Sequence, residues 1–148
     1  MTVRISIQTE DFDIAAESEA LAKGRDDVGA IVLFSGLVRA DDGLTSLTLE
    51  HYPGMTEREI ARHVEEAKTR RPLLGVTVIH RIGKLAPGDR IVLVAVASAH
   101  RAAAFEAANF LMDYLKTRAP FWKLEERGGG TQWVDARETD DQAAKRWE

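Results

Sequence analysis

The chain has 148 residues, enough for one ordinary domain with a buried core, and its 45% hydrophobic and 30% charged content suits a folded globular protein rather than a disordered one. Lysine plus arginine number 20 against 24 acidic residues, a net charge of −4, which argues against general nucleic-acid binding. The absence of cysteine excludes disulfides, iron–sulfur clusters, thiolate metal sites and a cysteine nucleophile.

In chain order, Val3 to Gln8 alternates as a strand, and Asp13 to Lys23 reads as a short helix stopped by Gly24. The opening MTVRISIQTEDF lacks the apolar core of a signal peptide, and no stretch is long and apolar enough to span a membrane, so a cytoplasmic location is expected. Gly29 to Arg39 is a long apolar strand interrupted by Gly36, followed by a turn at Ala40 to Gly43 and a strand from Thr45 to Tyr52. Pro53-Gly54 breaks that strand. Thr56 and Glu59 have capping-box spacing and are expected to open a helix running to about Arg71, with Ile60, Val64 and Ala67 as its apolar stripe.

Val76 to Ile82 and Arg90 to Ala97 read as strands joined through Pro87-Gly88-Asp89. A helix from His100 to Lys116 carries apolar residues on more than one side, so it should be deeply packed. Phe121 to Glu126 and Thr131 to Asp135 form a hairpin around the triple glycine at Gly128 to Gly130, and a charged tail from Ala136 to Glu148 follows. Short connections favour antiparallel pairing, giving an α+β protein with a largely antiparallel sheet. No repeat or linker divides the chain, so one domain is expected.

Chemistry concentrates around MDYLKTRAPFWK, Met112 to Lys123. Proline at 120 ends the helix, so Lys116 closes one element and Lys123 belongs to the next. Two ammonium groups converging on one pocket repel, which eases loss of a proton from one of them. The alternative is a pair of solvated lysines, with Asp113 and Lys116 in contact on the helix surface. Alternation puts Phe121, Lys123 and Glu125 on one side of the strand, where Glu125 could orient Lys123. Trp122 falls on the other side and is expected in the core.

Ser98-Ala99-His100-Arg101 lies where a strand enters a helix. Cations there oppose the macrodipole unless an anion binds, and a phosphate is the natural candidate. The alternative is surface pairing of Arg101 with a packed His100. Arg39, at the end of Gly36-Leu37-Val38-Arg39, is a further candidate for an oxyanion contact. The four histidines lack metal-binding spacing, so no metal site is expected, and His51 and His80 read as structural.

Several long segments carry a resemblance: LTLEHYPGMTE at Leu47 to Glu57, VTVIHRIGKLAPGD at Val76 to Asp89, SAHRAAAFEAANFLMDYLKTRAPFWK at Ser98 to Lys123, and WVDARETDDQAAKRW at Trp133 to Trp147. Together they resemble the large, catalytic subunit of molybdopterin synthase across nearly the whole chain. The resemblance implies a hammerhead-type α+β fold and a homodimer of large subunits within a heterotetramer. It also implies a small ubiquitin-like partner whose C-terminal Gly-Gly thiocarboxylate delivers sulfur to cyclic pyranopterin monophosphate, forming the molybdopterin dithiolene with no resident cofactor. By the same resemblance, Lys116 and Lys123 match the active-site lysines, and His100 and Arg101 match residues at the substrate's phosphate end. Leu37, Val38 and Arg39 match further substrate contacts, Leu124 and Glu125 extend the lining near Lys123, and Arg137 matches a tail arginine directed at a neighbouring protomer's site. The acidic turn Ala40-Asp41-Asp42-Gly43 looks shorter than is usual in that family. Two other readings remain at this point: an anion-handling phosphate-ester hydrolase, and a docking module without chemistry.

Overall fold

The computed structural model describes residues 1–134 and 138–148, without the side chains of residues 138–141. The strands are β1 (Thr2–Gln8), β2 (Ala30–Leu37), β3 (Leu44–His51), β4 (Gly75–Arg81), β5 (Gly83–Leu85), β6 (Arg90–Ser98), β7 (Phe121–Arg127) and β8 (Gly130–Val134). The helices are α1 (Ile14–Ala22), α2 (Met55–Arg70), α3 (Arg101–Thr117) and α4 (Glu138–Lys145). Two four-stranded sheets form, in the orders β1-β4-β6-β2 and β5-β3-β7-β8. The antiparallel expectation holds for every described strand pairing except β1 with β4, which is parallel.

Strand β6 explains how the first sheet is held. It is buried along almost its full length, so both faces must be covered. Leu93, Ala95 and Ala97 pack toward Phe12 and Leu21 around α1, while Val92, Val94 and Val96 join the main core with residues of α2 and α3. The same alternation in β4 directs Val76 and Val78 into the main core and Ile79 toward Phe12. Helix α3 contributes Ala104, Ala107, Phe110, Leu111, Tyr114 and Leu115 to that core, which explains its broad apolar surface.

Helix starts differ from expectation at one place. Asp13 caps α1 as a side-chain acceptor for the Ala16 amide at 3.1 Å, and Gly24, with φ +72°, lets the chain leave that helix. At α2, however, the box is formed by Gly54 and Glu57 rather than by Thr56 and Glu59. Gly54 takes φ +84° as N-cap and its amide donates to the Glu57 carboxylate at 3.3 Å. Glu59 instead binds Arg62 at 2.8 Å.

Thr56 is released for a different task. Fully buried, its Oγ1 accepts from the Tyr52 amide and donates to the Pro120 carbonyl, both at 3.0 Å. That hydroxyl joins the end of β3 to the turn preceding β7. Thr56→Val keeps the shape but orphans two buried backbone groups. It should lower unfolding free energy by roughly 2 kcal/mol, read as a reduced urea midpoint at unchanged m-value.

Candidate functional site

Helix α3 ends at Thr117, and Arg118 to Pro120 turn the chain directly into β7. The Arg118 and Ala119 amides both reach the Tyr114 carbonyl, at 2.8 and 3.2 Å, tightening the last turn. Lys116 and Lys123 consequently line the same cavity, of about 530 Å³, with Leu115, Phe121, Trp122 and Trp133 among the other wall residues. Lys123 is paired across the sheet with Leu49 on one side and Val134 on the other, which fixes its position along β7. Both lysines are half-buried. The convergence expected from sequence is present.

Trp122 corrects an expectation. It is 49% exposed and forms a cavity wall rather than core. Its ring meets Tyr52 edge-on at 4.9 Å and Trp133 at 6.3 Å, leaving an aromatic rim beside the cavity. The carboxylates neighbouring the lysines in sequence also have partners of their own. Asp113 accepts from the Trp147 indole at 2.6 Å and pairs with Arg146 at 3.0 Å, which anchors the end of the chain against α3. Glu125 binds Arg127, whose guanidinium also donates to the Asp41 and Asp42 carbonyls. The 40–43 turn is thereby tied to β7.

The remaining candidates lie elsewhere on the chain. Leu37 is exposed and Val38 buried, because Val38 forms hydrogen bonds with Asp89 and Gly88 where the register of β2 shifts. Arg39 is exposed and paired with Asp41 at 3.0 Å. Leu124 and Glu125 are half-buried on β7, adjoining Lys123. His100 and Arg101 are exposed at the start of α3, where His100 is the N-cap and makes no side-chain cap bond. At 1.5 Å per residue, Arg101 and Lys116 stand roughly 22 Å apart along the helix. One chain therefore brings the lysines together but leaves His100 and Arg101 at the opposite end. Arg137 lies outside the described residues.

His80, read from sequence as structural, adjoins this cavity. It is 6% exposed, stacks on Phe121 with ring centroids 4.0 Å apart, and places Nδ1 2.9 Å from the Arg81 carbonyl. Burial pushes its pKa down to about 3, with smaller contributions from Lys123, Lys116 and His51. His63, stacked on Tyr114 at 3.4 Å, is also held below its usual value by burial. No group of metal-binding side chains occurs among the described residues.

Comparison with known proteins gives a consistent result. The family model described as MoaE protein matches residues 7–118. The molybdopterin synthase catalytic subunit of Mesorhizobium japonicum is 65% identical over 146 residues, covering 97% of this chain and 92% of that protein. The solved MoaE protein from Burkholderia ambifaria superposes with a TM-score of 0.85 at 49% identity, covering 99% and 98% of the two chains. Molybdopterin synthase from Staphylococcus aureus gives 0.79 at 31% identity, covering 86% and 94%.

The buried histidines give a testable acid response. A ring whose folded pKa lies below its unfolded value near 6.5 takes up its proton first in the unfolded chain as pH falls. Stability from keeping His80 neutral is complete above about 6.5 and is lost progressively toward pH 3. Calorimetry should show Tm falling through that window, with His63 acting in the same direction. His80→Phe should flatten the fall.

Proposed function

The chain belongs to the MoaE family, the molybdopterin synthase catalytic subunits, and on that footing we propose that the cavity between α3 and β7 is where it transfers sulfur to a pterin phosphate ester. The donor is the thiocarboxylated C-terminal tail of a small ubiquitin-like subunit, and the acceptor is cyclic pyranopterin monophosphate. The observation that carries this reading is the meeting of Lys116 and Lys123 in one cavity.

The chemistry asks for cations. A thiocarboxylate sulfur attacking the pterin side chain builds oxyanion character that a fixed ammonium stabilises. Opening a cyclic phosphate requires a proton on the departing oxygen, a general-acid task suited to a positioned amine. Lys123 is assigned proton transfer or transient covalent contact with the tail carbonyl. Lys116 holds and polarises the substrate or the departing carboxylate. Leu124 and Glu125 continue the wall beside Lys123, and the aromatic rim of Trp122 and Trp133 suits a flat ring or an extended tail at the mouth.

The phosphate end is assigned to Leu37, Val38, Arg39, His100 and Arg101, with the last two supplied by a second copy of the chain. Two features support that division. The distance along α3 keeps His100 and Arg101 away from their own lysines. In addition, β2 is an edge strand bearing exposed Leu33, Phe34 and Leu37. Ala30, at one end of β2, pairs with Ser98, two residues before His100, whereas Arg39 follows the other end. Antiparallel two-fold pairing along this edge opposes the two ends, bringing His100 and Arg101 of one copy to Arg39 of the other. Arg137 is assigned to the same shared site from its sequence match alone. We place the reaction in the cytoplasm. No helix among the described residues is long and apolar enough to cross a membrane.

Reconstitution with a thiocarboxylated small subunit and the cyclic pterin ester tests the reading by assay for the dithiolene. Lys123→Ala should reduce product formation by about 100-fold or more while the complex still assembles in gel filtration. Unchanged turnover would leave only a docking role. A mixing experiment tests the shared site: His100→Ala/Arg101→Ala and Lys116→Ala/Lys123→Ala chains, each inactive, should regain part of the activity when combined. Failure of properly mixed dimers to recover would remove the second copy from the site.

A further inference from the structure

His80 is the one buried imidazole beside the cavity to which the mechanism above gives no part. Its surroundings ask more of it than filling space. A carbonyl oxygen can only accept, so the 2.9 Å contact with Arg81 requires Nδ1 to carry the proton. The ring is neutral at physiological pH, which leaves Nε2 as a lone pair in a site only 6% exposed. Buried polar atoms are rarely left without a partner, and this nitrogen is absent from the buried side-chain atoms that lack one.

The fold restricts which group can serve. His80 continues the Val76–Val78 face of β4, which looks into the main core. Its ring lies flat against Phe121, with planes 21° apart. Phe121 and Lys123 are two residues apart on β7 and project to the same side, roughly 7 Å apart along the strand. That side is interior, because Leu49, opposite Lys123, is 1% exposed. The charged or titratable groups acting on the ring are Lys123 from β7, Lys116 from α3 and His51 from β3, with Lys123 the strongest. An ammonium is a donor and nothing else.

We propose that His80 is a positioning residue for Lys123, its Nε2 accepting a hydrogen bond from the lysine ammonium and fixing that amine at the cavity wall. The proposal rests on the catalytic assignment of Lys123 made above. An imidazole this reluctant to protonate is a poor proton shuttle at neutral pH, so its part is to hold the amine rather than to exchange protons with it. A fixed acceptor also favours the charged form of the lysine until substrate displaces or replaces the bond.

Three substitutions separate this role from simple packing. His80→Phe keeps the ring stack and removes both nitrogens. His80→Asn restores polarity only near Nδ1, and His80→Gln returns an acceptor near Nε2. Each is reconstituted as above, and Lys123 acylation is followed by mass spectrometry across pH in the assembled protein. The Phe and Asn variants should lose about tenfold or more in kcat with KM changed less than about twofold, and Lys123 should become reactive at lower pH. His80→Gln should recover both properties. Wild-type kcat and labelling in His80→Asn, or a Gln variant as impaired as Asn, would overturn the proposal. If the Phe variant does not fold, the Asn–Gln comparison decides. The labelling needs no turnover, so an inactive wild-type reconstitution would count against the sulfur-transfer reading while leaving His80 to be judged on the reactivity of Lys123.

Discussion

Three residues between α3 and β7 govern the geometry of the cavity. Arg118, Ala119 and Pro120 reverse the chain so tightly that a residue of the last helical turn and one near the start of the strand share a wall. Proline prevents the helix from continuing. Two amides converging on the Tyr114 carbonyl close its end, and the Thr56 hydroxyl holds the Pro120 carbonyl from a separate element. The amines therefore need no long loop to meet. Their separation is set by backbone hydrogen bonds and by the cross-strand register of Lys123 with Leu49 and Val134.

Charge around the cavity follows the same economy. The chain is acidic overall, yet two lysines sit half-buried on one cavity. Nearby carboxylates have structural duties: Asp113 secures Trp147 and Arg146, while Glu125 binds the arginine that pins the 40–43 turn. His80 contributes no positive charge because burial keeps it neutral. The local field comes from amines on two rigid elements, an arrangement that can stabilise developing negative charge without reorganising at the moment of reaction.

Much of this was legible in the sequence because it depends on local rules. Alternation located the long strands, proline ended α3, and the spacing from Lys116 to Lys123 put an amine on each side of that break. Other features depend on what covers an element. Alternation assigned Trp122 a side of β7 but could not reveal that this side stays open, so its burial was misjudged. Gly83–Leu85 is too short to show a period and becomes a strand only by pairing with β3. The parallel pairing of β1 with β4 joins segments more than sixty residues apart, beyond the reach of short-turn reasoning. At α2, Thr56 had the composition of a cap, but its hydroxyl was worth more bridging Tyr52 to Pro120 than capping its own helix. His80 was recognisable as a strand histidine. Its neighbours were not, because β4 and β7 belong to different sheets and meet only across the core.

The absence of cysteine is the counterpart of the lysine cavity. A protein that carried the reactive sulfur itself would need a thiol placed against the substrate and protected from oxidation between turnovers. A chain that receives sulfur on an incoming peptide end needs an entrance, a surface against which that end can lie, and fixed cations at the reaction point. Trp122 and Trp133 form such a surface, and Lys116 and Lys123 supply the cations. The anion contacts at the far end of α3 can then come from another copy, since a helix of 17 residues holds its two ends too far apart for one small substrate. On this account the length of α3 makes dimerisation a requirement of the chemistry rather than an accessory to it.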